Sequence, residues 1–135
     1  MSNDQHKEVV REFLNALVND DSAAMRPLVS DTVTWWVPQS AATTFGLGRR
    51  LDGWDNVPWF GGEGWKGFKP GSSKVRIHHL LADDDLVSAH YNRESLRLNG
   101  DLYDNEYNML FRFEDGLIVE VWEIVDTAYA LSSRG

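Results

Sequence analysis

Between residues 4 and 19, Val9, Val10, Phe13, Leu14, Leu17 and Val18 recur at three- and four-residue intervals with polar side chains between them. That spacing predicts an amphipathic helix, with Asn3 or Asp4 as its N-cap. Asn19-Asp20-Asp21-Ser22 breaks the pattern and caps a second, shorter helix carrying Met25, Leu28 and Val29, with Pro27 near its end. Thr32 to Val37 is dense in β-branched and aromatic side chains, which predicts a strand ended by Pro38. From residue 74 onward the pattern changes to alternation. It predicts strands over 74–82, 86–98, 102–114 and 117–126, divided by turns at Asp83-Asp84-Asp85, Asn99-Gly100 and Asp115-Gly116. Asn-Gly and Asp-Gly favour tight hairpins, so these strands form an antiparallel meander. Residues 128–131 predict a terminal turn.

Residues 39–73 show no clean period. Glycines recur through them, and a short helix around 53–60, capped by Asp52, is the one regular element predicted there. A segment this long suggests a lid or pocket wall. Helices first and strands later give an α+β domain over residues 1–135, a curved sheet closed on one side by helices.

Composition sharpens this picture at one place. Of the six tryptophans, five (Trp35, Trp36, Trp54, Trp59 and Trp65) lie between residues 35 and 65. Such a cluster fills a core or lines a pocket for an apolar ligand, and a dimer interface is a third use. The net charge of −8, from 21 acidic and 13 basic residues, disfavours a nucleic-acid partner. The chain has no cysteine, so disulfides, thiol nucleophiles and thiolate metal sites are excluded. The polar N-terminus and the lack of a long apolar run predict a cytoplasmic protein with no membrane partner.

The last third carries a pattern of its own: Tyr103-Asp104-Asn105-Glu106-Tyr107, then Phe113-Glu114-Asp115-Gly116-Leu117-Ile118, then Val121-Trp122-Glu123-Ile124-Val125-Asp126. It resembles the closing hairpin of the SnoaL-like branch of the NTF2-like superfamily. The N-terminal helix pair followed by Leu28-Val29-Ser30-Asp31-Thr32-Val33 resembles the same family. The resemblance implies a cone: a curved, mostly antiparallel sheet wrapped around N-terminal helices and enclosing a pocket. It implies a homodimer, which suits an outer sheet face predicted to carry Leu110, Ile118, Trp122 and Ile124. It also spans steroid isomerases, polyketide cyclases, dehydratases, epoxide hydrolases and non-enzymes, among which fold cannot choose. The positions that carry polar catalytic groups in the steroid isomerases fall on Phe13, Val37 and Met109, so that chemistry is not expected. The epoxide-hydrolase pattern of an Arg and an Asp two residues apart is also incomplete around Arg93.

One family position keeps its acid, Glu123. Alternation places Val119, Val121, Glu123 and Val125 on one face, a carboxylate among valines whose burial raises its pKa. Two readings stand: a general acid/base, or a structural carboxylate paired with Arg93 or Arg112. Arg93 shares a face with Tyr91 and Ser95, where Arg93 and Tyr91 could orient a substrate oxygen. His79, in phase with Val75, Ile77 and Leu81, is a third catalytic candidate; His6 is expected to be solvated. Asn105, Tyr107 and Met109 share the inward face and are expected to contact substrate, as are Trp35, Trp59 and Trp65. His78 and His79 are adjacent, so they face opposite sides of a strand, and no metal-binding spacing of histidines occurs. No metal or cofactor is expected. The expected activity is cofactor-independent acid/base chemistry (isomerisation, cyclisation, dehydration or hydrolysis) on a small hydrophobic organic ligand. The alternative is a non-catalytic ligand-binding or dimerising domain.

Overall fold

The computed structural model describes residues 1–61 and 67–132. Helix α1 (Asn3–Val18) buries Val10, Phe13 and Leu14 against the sheet. Its cap is Ser2 rather than Asn3 or Asp4: the Ser2 side chain accepts from the Gln5 N–H while Gln5 reaches back to the Ser2 N–H. Asp20, at φ 53, reverses the chain, and the Asp21 carboxylate caps α2 (Ser22–Met25) through the Ala24 N–H. A 3₁₀ turn with Pro27 leads into β1 (Val29–Trp36).

The described residues between 39 and 73 hold more regular structure than their sequence suggests. Helix α3 (Gln39–Phe45) buries Ala41 and Ala42 and ends at Gly46, whose φ of 68 needs no side chain. Strand β2 (Arg50–Asp52) pairs antiparallel with β1. The helix predicted around 53–60 is two 3₁₀ turns, Trp54–Asn56 and Pro58–Gly61. Then come β3 (Lys74–Asp83), β4 (Leu86–Leu96), β5 (Leu102–Glu114), β6 (Leu117–Val125) and α4 (Thr127–Ser132). Asp115 and Gly116 both have positive φ, the backbone a tight hairpin requires.

The six strands form one sheet in the order β2-β1-β6-β5-β4-β3. Every pairing is antiparallel except β1 with β6. This is the α+β cone expected. Its inner face packs on α1 through Phe13, which meets Trp35, Phe60 and Phe111 at ring distances of 5.6 to 6.2 Å. Such aromatic contacts add to the area term of burial.

Two β-bulges alter which residues face inward. In β3, Ile77 pairs with Tyr91 and His79 with His90, so His78 is an extra residue. The phase flips there. Leu80 and Ala82, not His79 and Leu81, pack on the core, and Leu81 is 68% exposed. His78 and His79 consequently lie on the same outer face, both against the His90 ring. In β6, Phe113 pairs with Ile118 and Arg112 with Glu120, which makes Val119 the extra residue. Ile118 is therefore fully buried rather than on the outer face, and Val119 leaves the row of Val121, Glu123 and Val125. His6 is also buried: its ring stacks on Phe113 at 4.3 Å, and Nδ1 lies 3.1 Å from the Asp84 carbonyl.

Candidate active site

Beyond its bulge, β6 presents Val121, Glu123 and Val125 to the interior. Parallel pairing sets Trp35 of β1 beside Val121. From there the indole Nε1 donates to Glu123 Oε1 at 3.1 Å. Glu123 is enclosed by protein, with partial access from a cavity of about 250 Å³. Burial pushes its carboxyl up to about 7, against the Trp35 hydrogen bond and the Arg93 charge, which both pull it down. Among the described residues no basic side chain lies within ion-pair distance of Glu123: Arg112 pairs with Glu114 and Glu120 instead.

The cavity lies between α1, the sheet, α3 and the Pro58–Gly61 turn. Its walls are mostly apolar, with Leu17, Val37, Ala41, Phe45, Leu47 and Val125 among them. The polar groups on them are few: Asp20, Arg93, Tyr91, Tyr107, Glu123 and the two indoles of Trp35 and Trp59. An apolar pocket with a few convergent polar groups is the usual form of a small-molecule site. The volume lies just below the ~300 to 1,000 Å³ typical of such sites, so the ligand is small.

The tryptophan cluster divides its roles. Trp35 and Trp59 meet edge to face at 5.2 Å in the cavity wall. Trp59 Nε1 is buried and finds no hydrogen-bond partner among the described residues. Trp54 stacks on Phe60 at 4.5 Å beneath Arg26, and Trp36 donates to Glu120 outside the cavity. Trp65 lies outside the described residues.

Tyr91 and Tyr107 stack in parallel at 5.2 Å. Burial raises both hydroxyls well above 10, so each stays protonated and serves as a donor rather than a base. Arg93 lines the cavity but holds the scaffold: it donates to Ser95 Oγ at 3.1 Å, to Ser73 Oγ at 3.3 Å and to the Val18 carbonyl at 3.4 Å. Its guanidinium also covers the Phe68 ring at 4.7 Å.

Three expected residues stand elsewhere. His79 lies on the outer face, where Nδ1 meets His90 Nδ1 at 3.1 Å, because the bulge at His78 reverses its phase. Asn105 is inward and buried but sits behind the cavity wall, bonded to Tyr103, Asp126 and the Glu106 N–H. Met109 is fully packed in the core. Conversely, Asp20 borders the cavity. In sequence it reads only as a helix breaker. Among the described residues no cluster of three His, Asp or Glu side chains could hold a metal ion, and no helix is long and apolar enough to cross a membrane.

A SnoaL-like domain model matches residues 10–121. The chain belongs to the SnoaL-like family. Among solved structures, an NTF2-like protein of unknown function from Burkholderia pseudomallei is 22% identical, with 98% of this chain and 97% of that one covered at a TM-score of 0.77. A SnoaL-like protein from Jannaschia sp. CCS1, assigned provisionally as a polyketide cyclase, is 14% identical over 97% and 92% of the two chains, also at 0.77. TerC, crystallised with polyporic acid, is 17% identical over 95% and 96%, at 0.75. No curated protein matches the sequence. At these identities the structures support the fold of this SnoaL-like domain. Its chemistry has to be read from its own residues. At the three positions aligned with the steroid isomerases, Phe13, Val37 and Met109 are buried and apolar, and the carboxylates on the cavity wall are those of Glu123 and Asp20.

Proposed function

We propose that this SnoaL-like domain binds a small, largely apolar organic molecule in the cavity and moves a proton on it, with Glu123 as general acid/base and no cofactor. The supporting observation is the carboxyl itself. It sits against apolar walls with one hydrogen bond from Trp35, and its pKa of about 7 lets it take and return a proton near neutral pH. Isomerisation, cyclisation, dehydration and hydrolysis all start from such a transfer. Trp59 adds a second reason to expect a ligand. A buried N–H without a partner costs about 1 to 3 kcal/mol, which an oxygen atom on a bound molecule would recover.

The test is a panel of ketones, hydroxy ketones, lactones and epoxides presented to wild type and Glu123→Gln, with deuterium uptake from solvent and product formation as readouts. Loss of a general acid/base is expected to slow turnover about 10²- to 10⁴-fold. Binding without turnover or exchange above buffer by the wild type would overturn the catalytic reading in favour of a ligand-binding domain.

A further inference from the structure

Behind Tyr107 the buried polar groups form a chain whose first link has a fixed direction. Asn105, 1% exposed, accepts the Glu106 backbone N–H on Oδ1 at 2.8 Å. Its Nδ2 faces the Asp126 carbonyl at 3.1 Å. A backbone N–H can only donate and a carbonyl can only accept, so the amide has one possible orientation. Nδ2 therefore also donates to the Tyr103 hydroxyl oxygen, at 2.7 Å. That hydroxyl lies 3.0 Å from the Tyr107 hydroxyl. A phenol that accepts a hydrogen bond becomes a stronger donor in turn, and the effect grows in a low-dielectric interior.

We propose that the chain runs from Asn105 through Tyr103 to Tyr107, leaving the Tyr107 proton directed into the cavity at a ligand oxygen that bears no hydrogen, so that the site selects carbonyl compounds. In this arrangement Tyr107 touches the ligand, while Asn105 and Tyr103 are positioning residues that set its polarity. The inference rests on the proposed function only in that the cavity holds a ligand. A carbonyl oxygen suits it better than an alcohol, because an alcohol brings a second proton that needs an acceptor, and on these mostly apolar walls the carboxyls are confined to Glu123 and Asp20 among the described residues. The stacked Tyr91 ring restricts Tyr107 to a narrow range of tilts, which holds the donor in place.

The test uses acetophenone as a probe, isotope-labelled at its carbonyl carbon, and reads the carbonyl stretching band by infrared difference spectroscopy. In wild type the band is expected to move to lower frequency on binding. Tyr107→Phe should abolish the displacement and weaken binding about fivefold, the effect of one lost neutral hydrogen bond. Tyr103→Phe keeps the ring that packs on Phe68 but removes the relay and the acceptor of one Asn105 N–H, so the displacement should shrink in a protein that still folds with a lowered melting temperature. Glu123→Gln should retain it. A displacement unchanged in Tyr103→Phe, an unshifted band in bound wild type, or no binding of the ketone at millimolar concentration would each overturn the proposal. Absence of proton transfer by wild type with its carbonyl displacement intact would instead count against the role of Glu123 alone.

Discussion

Replacing Glu123 by Gln should make the protein more stable at alkaline pH. The carboxyl rises from 4.5 in an unfolded chain to about 7 in the fold, chiefly through burial. The folded state thus holds the proton more tightly than the unfolded one. As pH climbs through the window from 4.5 to about 7, the unfolded chain releases its proton first, so stability falls across that window and the loss is complete above it. At about 1.36 kcal/mol per pH unit, the full loss is ~3 kcal/mol. The carboxylate is partly open to the cavity and keeps some hydration, so we expect about 2 kcal/mol in practice. Gln is neutral at every pH and its Oε1 can still accept from Trp35 Nε1, so the substitution removes the charge and little else. For a chain of this size the gain corresponds to roughly 7 °C in melting temperature above pH 8. Below pH 5 it should almost vanish. Urea and thermal unfolding of both proteins at the two pH values measure the difference, in which other titrating groups cancel. Equal stability of the two proteins at pH 8, or a gain that does not change with pH, would refute the burial argument and with it the placement of Glu123 in an apolar wall.

Further perturbations test neighbouring parts of the structure. Trp35→Phe removes the hydrogen bond that holds the Glu123 carboxyl down, so its midpoint should move above 7, and any activity that needs the carboxylate should shift its acidic limb to higher pH; carboxyl-labelled NMR titration measures it. Gly53 adopts φ 89 and ψ 148 while its N–H bonds the Val33 carbonyl at 2.7 Å, so Gly53→Ala should cost about 1 to 3 kcal/mol in chemical denaturation through strain alone. We also propose that two copies of the chain meet through the outer sheet face, where Ile124 is 58% exposed beside the paired Leu110 and Trp122. Ile124→Glu should then shift sedimentation from dimer to monomer, and a wild type that sediments as a monomer at micromolar concentration would remove the proposal.

The meander was readable because its signals are local. Alternation together with the Asn99-Gly100 and Asp115-Gly116 turns sets the last four strands to within about two residues of their observed ends, since the turn residues supply the backbone conformations that tight connections demand. What the sequence conceals is non-local. Helix α3 is short, contains two β-branched threonines and has no side-chain cap; it is held by burial of Ala41 and Ala42 against the rest of the fold. Strand β2 is three residues long and exists because β1 offers it an edge. The parallel pairing of β1 with β6 joins residues from opposite ends of the chain, and it is what brings Trp35 to Glu123.

The same distinction explains the site. Glu123 was legible because a charged residue between Val121 and Val125 on an alternating strand conflicts with burial, and conflicts of this kind mark function. The identity of its helpers depended on the bulges. An extra residue flips every side chain beyond it, and a bulge at His78 leaves no mark in a row of β-formers. It moved His79 out of the cavity while leaving Val75 and Ile77 facing inward, as alternation predicts for the part of β3 before it. β4 and β5 pair without interruption, and there the inward phase of Tyr91, Arg93, Asn105 and Tyr107 holds throughout. Phase alone still could not separate a residue at the cavity from one behind it. Asn105 and Tyr107 share a face, yet only Tyr107 reaches the ligand space; Asn105 spends its three hydrogen bonds on Glu106, Asp126 and Tyr103. The cavity end of a strand is set by where α4 and α1 cover it. A side chain's role here therefore follows from its depth along the strand as much as from its face, and depth is decided by elements far away in sequence.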